Sequence, residues 1–296
     1  MPYLEKLAHD ITHQTRPFDQ VLMYDDASQD ETAATAESMG FTVLRGVTNR
    51  RPAWARNQLL QQAGCDFVHF HDSDDPIHPR FVEGMLPFAQ EGAILVCSFS
   101  ETQRDGRKGS YPVDQKFETA PFDLVFSAYA HLNAIVFCRK LALRSGGLDE
   151  GLTLSEEKDF LYKVISAGAR VIIHREELAE WVHRPDSLMY SQDYIRGAAM
   201  LRRFIHNCLA SPQPAAKRGM LDYCLREAWN FYHADPTTLP QIAMMCRELR
   251  NSGYWLKTGL GRKMEIMCSI LGPVGALKLR RAMVGKKADQ FSRVRD

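Results

Sequence analysis

The chain has 296 residues, 45% of them hydrophobic and 25% charged, with a formal net charge of +1. That is room for one large core, or for a domain with an appendage, and it gives no global electrostatic case for nucleic acid. Seven scattered cysteines without a Cys-x-x-Cys pair argue against a disulfide framework or a zinc site and read as reduced thiols of a cytoplasmic protein, and no apolar run approaches a membrane span or a signal peptide.

Residues 3–15 are helical in pattern, with Tyr3, Leu4, Leu7, Ala8 and Ile11 on one stripe. Residues 20–24 form a compact apolar strand, which ends in Asp25, Asp26, Ala27, Ser28, Gln29 and Asp30, residues of turn and helix-cap chemistry. A helix over 30–39 stops at Gly40, a strand follows at 42–44, and Trp54 to Gln62 is a helix with Ala55, Arg56 and Asn57 in its first turns. Gly64 ends it, and a strand over 66–71 runs into Asp72, Ser73, Asp74 and Asp75.

This strand end is the stretch that organises the rest. Carboxylates this close repel one another unless water solvates them or a cation sits among them. At the end of a buried strand they are placed to hold a hard divalent ion, magnesium or manganese, with positions left for a substrate's phosphates. An isolated Asp-x-Asp is more often a solvated acidic turn, so the upstream pattern matters. Alternating strands and helices predict a mostly parallel sheet with helices on its faces. Such sheets bind ligands beyond the carboxyl ends of their strands. Two acidic clusters on that edge, with Arg56 on the helix between them, make a pocket for a nucleotide diphosphate.

Further along, residues 80–90 read as a helix and 93–98 as a strand. The polar, Gly-rich stretch 101–120 reads as a hairpin or mobile loop, and 133–137 as a strand. Gly146 to Glu150 is a turn. Ser155 is a candidate cap for a helix that carries Glu156, Glu157, Lys158, Asp159 and Phe160 and buries Leu161, Val164 and Ile165. Residues 170–174 form a strand, and 181–187 are a polar-ended stretch. Helical patterns then run through 190–209, 217–233, 237–251 and 254–270, and an amphipathic stretch over 274–284 is followed by basic residues. The expected division is a nucleotide-binding and catalytic domain over 1–189 and a helical region over 190–296. Lys278, Arg280, Arg281, Lys286, Lys287, Arg293 and Arg295 make the end of the chain a candidate for peripheral membrane contact, a solvated helix end being the alternative.

Five motifs in register resemble the family 2 glycosyltransferases over residues 20–187. They are the strand and acidic turn at 21–32, Ala55-Arg56-Asn57, the DXD-like run at 70–76, Gly146-Gly147-Leu148-Asp149-Glu150, and Glu156-Glu157-Lys158-Asp159-Phe160. The resemblance implies a GT-A fold: a Rossmann-like α/β domain with a mixed, mostly parallel sheet and helices on both faces, here followed by a helical C-terminal appendage. It implies inverting, metal-dependent transfer of a hexosyl group from a nucleotide-diphosphate sugar to a glycan or lipid-linked acceptor in cell-envelope or exopolysaccharide synthesis. Carried over by position, Asp26 would accept from the nucleotide base and Arg56 would lie near the base or diphosphate. Asp72 and Asp74 would bind donor and metal (Mn2+ or Mg2+), with His183 a further metal candidate. Glu157 would be the catalytic base and Glu156 its close rival. The chain departs from the family in two ways. It starts inside the helix that should follow the family's first strand, which would leave the two neighbouring strand edges unpaired. It also has Glu157 where the family has Asp. A nucleotidyltransferase and a non-catalytic nucleotide-binding or assembly protein are the competing readings.

Overall fold

Seven consecutive buried residues, Ala93 to Phe99, dictate the centre of the first unit. An apolar run without alternation has to be covered on both faces of a sheet. It lies in β4, Ala93–Thr102. The structure, a computed structural model, describes residues 2–127, 129–184, 194–234, 236–252, 267, 270–272 and 274–279. The chain divides into two compact units, Met1–Tyr190 and Ser191–Asp296.

In the first unit the order is α1 (Pro2–Thr12), β1 (Leu22–Asp25), α2 (Thr32–Ser38), β2 (Thr42–Arg45), α3 (Arg51–Gln62), β3 (Phe67–His69), α4 (Phe81–Met85) and β4. Then come β5 (Lys108–Tyr111), α5 (Pro121–Val125), β6 (Ile135–Cys138), α6 (Arg139–Arg144), α7 (Glu156–Ser166) and β7 (Arg170–Val182). β4 pairs in parallel with β7 along its whole length. Its other edge is shared by two antiparallel partners, β6 at Ile94–Val96 and β5 at Phe99–Thr102. β3 adds antiparallel to β6. β1 and β2 pair in parallel as a separate two-stranded sheet.

The expected mostly parallel sheet is therefore corrected. The domain is mixed α/β, with parallel ladders only at β1–β2 and β4–β7 and antiparallel ladders at the other three pairings. The βαβ alternation holds as far as β3. Beyond it, the chain turns back as a β4–β5 hairpin, and β6 inserts between β3 and β4, which reverses the strand direction. Among the described residues β1 pairs only with β2, and β3 only with β6.

β7 runs thirteen residues, Arg170–Val182, far past the expected 170–174. It carries a bulge opposite Ser98, where the register skips Arg175 and Glu176. Ser98 Oγ fills the gap by donating to the Arg175 carbonyl at 2.9 Å. Leu7 of α1 packs with Ile77, Phe81, Leu95 and Leu178, so this helix belongs to the same core.

The second unit contains α8 (Tyr194–Ala210), α9 (Lys217–Ala234) and α10 (Leu239–Asn251). Phe204, Ile205, Met220, Cys224, Met245 and Leu249 fill its interior, and Arg202 pairs with Glu248 at 2.6 Å. None of the described helices is long and apolar enough to cross a membrane. The expected helix over 254–270 lies almost wholly outside the described residues, as do the basic residues Arg280, Arg281, Lys286, Lys287, Arg293 and Arg295.

Candidate active site

The site is assembled from the ends of β1, β3 and β7 and the starts of α3 and α7. Asp26, one residue past β1, accepts from the backbone N–H groups of Arg50 and Arg51, both at 2.7 Å. Its carboxylate thus satisfies donors that the first turn of α3 leaves open. Arg51 adopts a left-handed φ of 72° there. The Arg50 guanidinium stacks over Trp54, whose indole N–H donates to the Tyr24 hydroxyl at 3.0 Å. α3 starts three residues earlier than the sequence pattern suggests, so Arg56 and Asn57 sit in its second turn.

Arg56 is the buried centre of the site. Its Nη2 donates to Asp72 Oδ1 at 2.6 Å and lies 3.4 Å from Glu157 Oε1, and its Nη1 lies 3.4 Å from Glu156 Oε1. One side chain of α3 thereby gathers carboxylates from two other motifs. Asp72 to Asp75 form a turn closed by Asp75 N–H to the Asp72 carbonyl at 3.1 Å. Asn133 holds that turn from outside: its Oδ1 accepts from the Asp72 N–H at 3.1 Å, and its Nδ2 donates to Asp75 Oδ2 at 2.6 Å.

Glu156 and Glu157 open α7, where the helix dipole favours carboxylates. Ser155 precedes them with a φ of 64°, and its hydroxyl makes no capping bond, so the expected side-chain cap is corrected. Its left-handed backbone departs from the extended conformation typical of a capping serine. Asn57 positions α7 indirectly. It accepts from the Leu148 N–H at 2.8 Å and donates to the Leu148 carbonyl at 3.0 Å, clamping the turn before the helix.

At the end of β7, Arg184 Nη1 lies 2.7 Å from Asp74 Oδ2 and 3.5 Å from Asp75 Oδ1. Its guanidinium also sits 4.8 Å from the Tyr3 ring centroid. The backbone N–H of Val182 donates to Asp75 Oδ1 at 3.0 Å. His183 faces another way. Its Nε2 engages Glu101, which also accepts from the Tyr111 hydroxyl, and its ring packs against Trp181.

Charge crowding shifts several of these groups. Partial burial raises the Asp72 carboxyl, but the Arg56 charge and hydrogen bond outweigh it and hold Asp72 below the usual range. Burial pushes Glu157 up to about 8; Arg56 opposes the rise, and Asp72 and Glu156 add to it. Glu156 is raised by burial as well. Asp75 goes up to about 7, chiefly by burial, with Asp74 and Asp72 adding to the shift.

With this geometry in view, residues 1–147 match the model for glycosyl transferase family 2. Those residues are a family 2 glycosyltransferase domain. Among curated proteins, the chain is similar to a pre-mycofactocin glycosyltransferase of Mycobacterium tuberculosis (strain ATCC 25618 / H37Rv): 29% identity over 193 residues, covering 56% of this chain and 40% of that protein. It is also similar to the putative teichuronic acid biosynthesis glycosyltransferase TuaG of Bacillus subtilis (strain 168), 31% identical over 146 residues, 46% of this chain and 54% of that protein. The matches thus span about half the length of these relatives or less. Among solved structures, S. aureus TarS 1–349 in complex with UDP-GlcNAc superposes with a TM-score of 0.67 at 18% identity, over 83% of this chain and 77% of that one. The mannosyltransferase PcManGT from Pyrobaculum calidifontis, in complex with GDP-Man and Mn2+, gives 0.54 at 17% identity, over 96% and 84%. These likenesses establish the mixed α/β GT-A-like fold.

The first unit brings Arg56, Asp72, Glu156 and Glu157 together, places Asp74 with Arg184, and keeps Asp26 on the α3 start. A divalent ion on substrate phosphates needs one or two carboxylates with open oxygens. Here Asp72 Oδ1 and Asp74 Oδ2 are each held by a guanidinium, and His183 is engaged by Glu101. Among the described residues no group of three His, Cys, Asp or Glu side chains is placed to hold a metal ion. Each aspartate keeps one oxygen open but has a guanidinium charge beside it, so the donor set does not favour a resident cation. Sequence reasoning missed Asn57, Asn133 and Arg184 as site residues. A buried asparagine heading the all-apolar β6 was the available signal for Asn133. Nothing in the sequence pairs Arg184 with a turn 110 residues away.

Proposed function

We propose that this chain is an inverting glycosyltransferase that moves a sugar from a nucleotide-diphosphate sugar to an acceptor hydroxyl. One arrangement carries the reading: Arg56 holds Asp72, from the strand-end turn, beside Glu156 and Glu157, from a separate helix. That gives a donor-side carboxylate and an acceptor-side carboxylate on one edge, which a displacement at an anomeric carbon needs. The family assignment of residues 1–147 supports the same chemistry.

In this reading Glu157 removes the proton from the acceptor hydroxyl as that oxygen bonds to the anomeric carbon. The bond from that carbon to the diphosphate breaks on the opposite face, and the nucleoside diphosphate leaves with the electron pair. Glu156 sits close enough to Arg56 to be the rival base. Asp26 would meet the nucleotide base on the carboxylate lone pairs its backbone partners do not use. A manganese or magnesium ion at Asp74 would sit beside the Arg184 guanidinium and be repelled by it. For the acceptor we favour a cell-envelope or exopolysaccharide glycan, for which TuaG's name is the support.

The test is a panel of nucleotide sugars led by UDP-GlcNAc and GDP-Man, the ligands of the solved relatives. Release of nucleoside diphosphate with one donor, abolished in Glu157→Gln while nucleotide binding persists, is the expected result. Release of pyrophosphate would make the chain a nucleotidyltransferase instead, and no binding of any nucleotide would make it a non-catalytic protein.

A further inference from the structure

We propose that Arg184 stands in for a divalent cation: its guanidinium, held beside Asp74 at the end of β7, receives the donor's diphosphate, so that donor binding needs no metal ion. The inference rests on the nucleotide-sugar reading above and adds which group meets the phosphates.

A diphosphate approaching this edge meets the half-exposed carboxylates of Asp72 and Asp74. It needs a positive counterpart, because like charges in a partly buried site repel strongly. Arg56 is committed to three carboxylates and is only 10% exposed at its side chain. Lys158 of α7 turns its ammonium to the Val125 and Ser127 carbonyls, at 3.2 and 2.7 Å. Among the described residues, Arg184 is the other cation that touches the strand-end turn. Both its carboxylate contacts run through Nη1. A guanidinium has five N–H donors in a planar fork, and three of them lie on Nη2 and Nε. That fork matches two phosphate oxygens at once, which a lysine ammonium does not.

The arginine is also pre-positioned. Asp75 ties the turn to β7 through the Val182 N–H, and Asn133 ties the same carboxylate to the start of β6. Arg184 follows Val182 by two residues. Its guanidinium packs against the face of Tyr3, a cation–π contact that holds its plane. The carboxylate that the family resemblance assigns to the metal is therefore neutralised from within the chain by a cation whose donors suit phosphate.

The experiment measures binding of UDP, GDP, CDP and dTDP, and of the matching monophosphates, by calorimetry and thermal shift. It uses the wild-type chain, Arg184→Ala and Arg184→Lys, in EDTA and in manganese. The expected result is one nucleoside diphosphate that binds the wild type in EDTA. Arg184→Ala weakens it about tenfold or more, the loss typical of a charged phosphate contact, and leaves the monophosphate less affected. Arg184→Lys retains part of the affinity because it keeps the charge without the fork, and it serves as the folded control should the alanine variant unfold. Binding by the wild type only in manganese, equal in Arg184→Ala, would overturn the inference and leave the glycosyltransferase reading standing. No nucleotide bound in either condition would overturn that reading, and this inference with it.

Discussion

Asn57 and Gly147 are fitted to one another: a Cβ on Gly147 would sit 2.5 Å from Asn57 Oδ1, and Gly147 holds a left-handed φ of 71°. The close approach lets Asn57 grip both backbone groups of Leu148. Gly147→Ala should therefore lower stability by more than the ~1–2 kcal/mol of left-handed strain alone. Asn57→Ala should cost about 1–3 kcal/mol by stripping partners from the turn. The double variant should cost less than the sum, because the steric conflict goes with the asparagine side chain. Urea midpoints of the four proteins give the coupling, and strict additivity would show that the two residues do not communicate.

Arg56 pairs with Asp72 and touches the carboxyl groups of Glu156 and Glu157, so Arg56→Met should be severe. Removing one partner of a fully buried pair costs ~3–5 kcal/mol; the partial exposure of Asp72 reduces that to about 2–3 kcal/mol here. The deficit depends on pH in a defined direction. Asp72 has a lowered carboxyl pKa in the folded chain, so the stability that Arg56 confers through it is present above the ordinary value of 3.8 and fades as pH falls below it. Denaturant titrations at pH 7 and pH 3 should show the variant approaching the wild type at the lower value.

Glu157 carries the opposite shift. A carboxyl held at about 8 is largely protonated at neutral pH, so with Glu157 in its proposed role as base, kcat/KM should climb as pH rises towards 8. Glu157→Gln should reduce transfer by about a hundredfold or more while nucleotide binding stays intact. Because the folded-state value is raised from 4.5, this group's contribution to stability is full below pH 4.5 and is lost as pH rises towards 8. The Gln variant should flatten that slope, which a pH series of thermal melts would show.

Ser155 takes a left-handed φ of 64° immediately before the two glutamates. Ser155→Gly should relieve the strain and raise stability by about 0.5–1 kcal/mol, net of the added unfolded-state entropy. If the strained residue aims Glu156 and Glu157, kcat should fall in the same variant. A stability gain with an unchanged kcat would separate the strain from the site.

The acidic turns, the Ala-Arg-Asn helix and the glutamate pair were legible because each is local: a few residues of distinctive chemistry at an element boundary. What joins them was not. Arg56 reaches Glu156 across 100 positions, and Asn57 reaches Leu148 across 91. Periodicity is blind to such pairs. The sheet direction misled for a related reason. The βαβ rhythm of the first seventy residues was extended to strands that instead return through a hairpin and an insertion. The polar run His174, Arg175, Glu176 and Glu177 carries no strand signal, yet the register shift opposite Ser98 lets β7 pass through it and continue.

β4 is the common neighbour of β5, β6 and β7, and the β4–β7 ladder begins by joining Ala93 to Arg170. Closing a loop of that span comes late, after the local hairpin and helices have formed. Arg184 lies just beyond that ladder and Asp74 well before it. During synthesis Asp74 emerges more than a hundred residues ahead of its arginine, whereas Arg56, the partner of Asp72, precedes the turn. The Arg184–Asp74 contact thus depends on the same docking of β7 that completes the ladder.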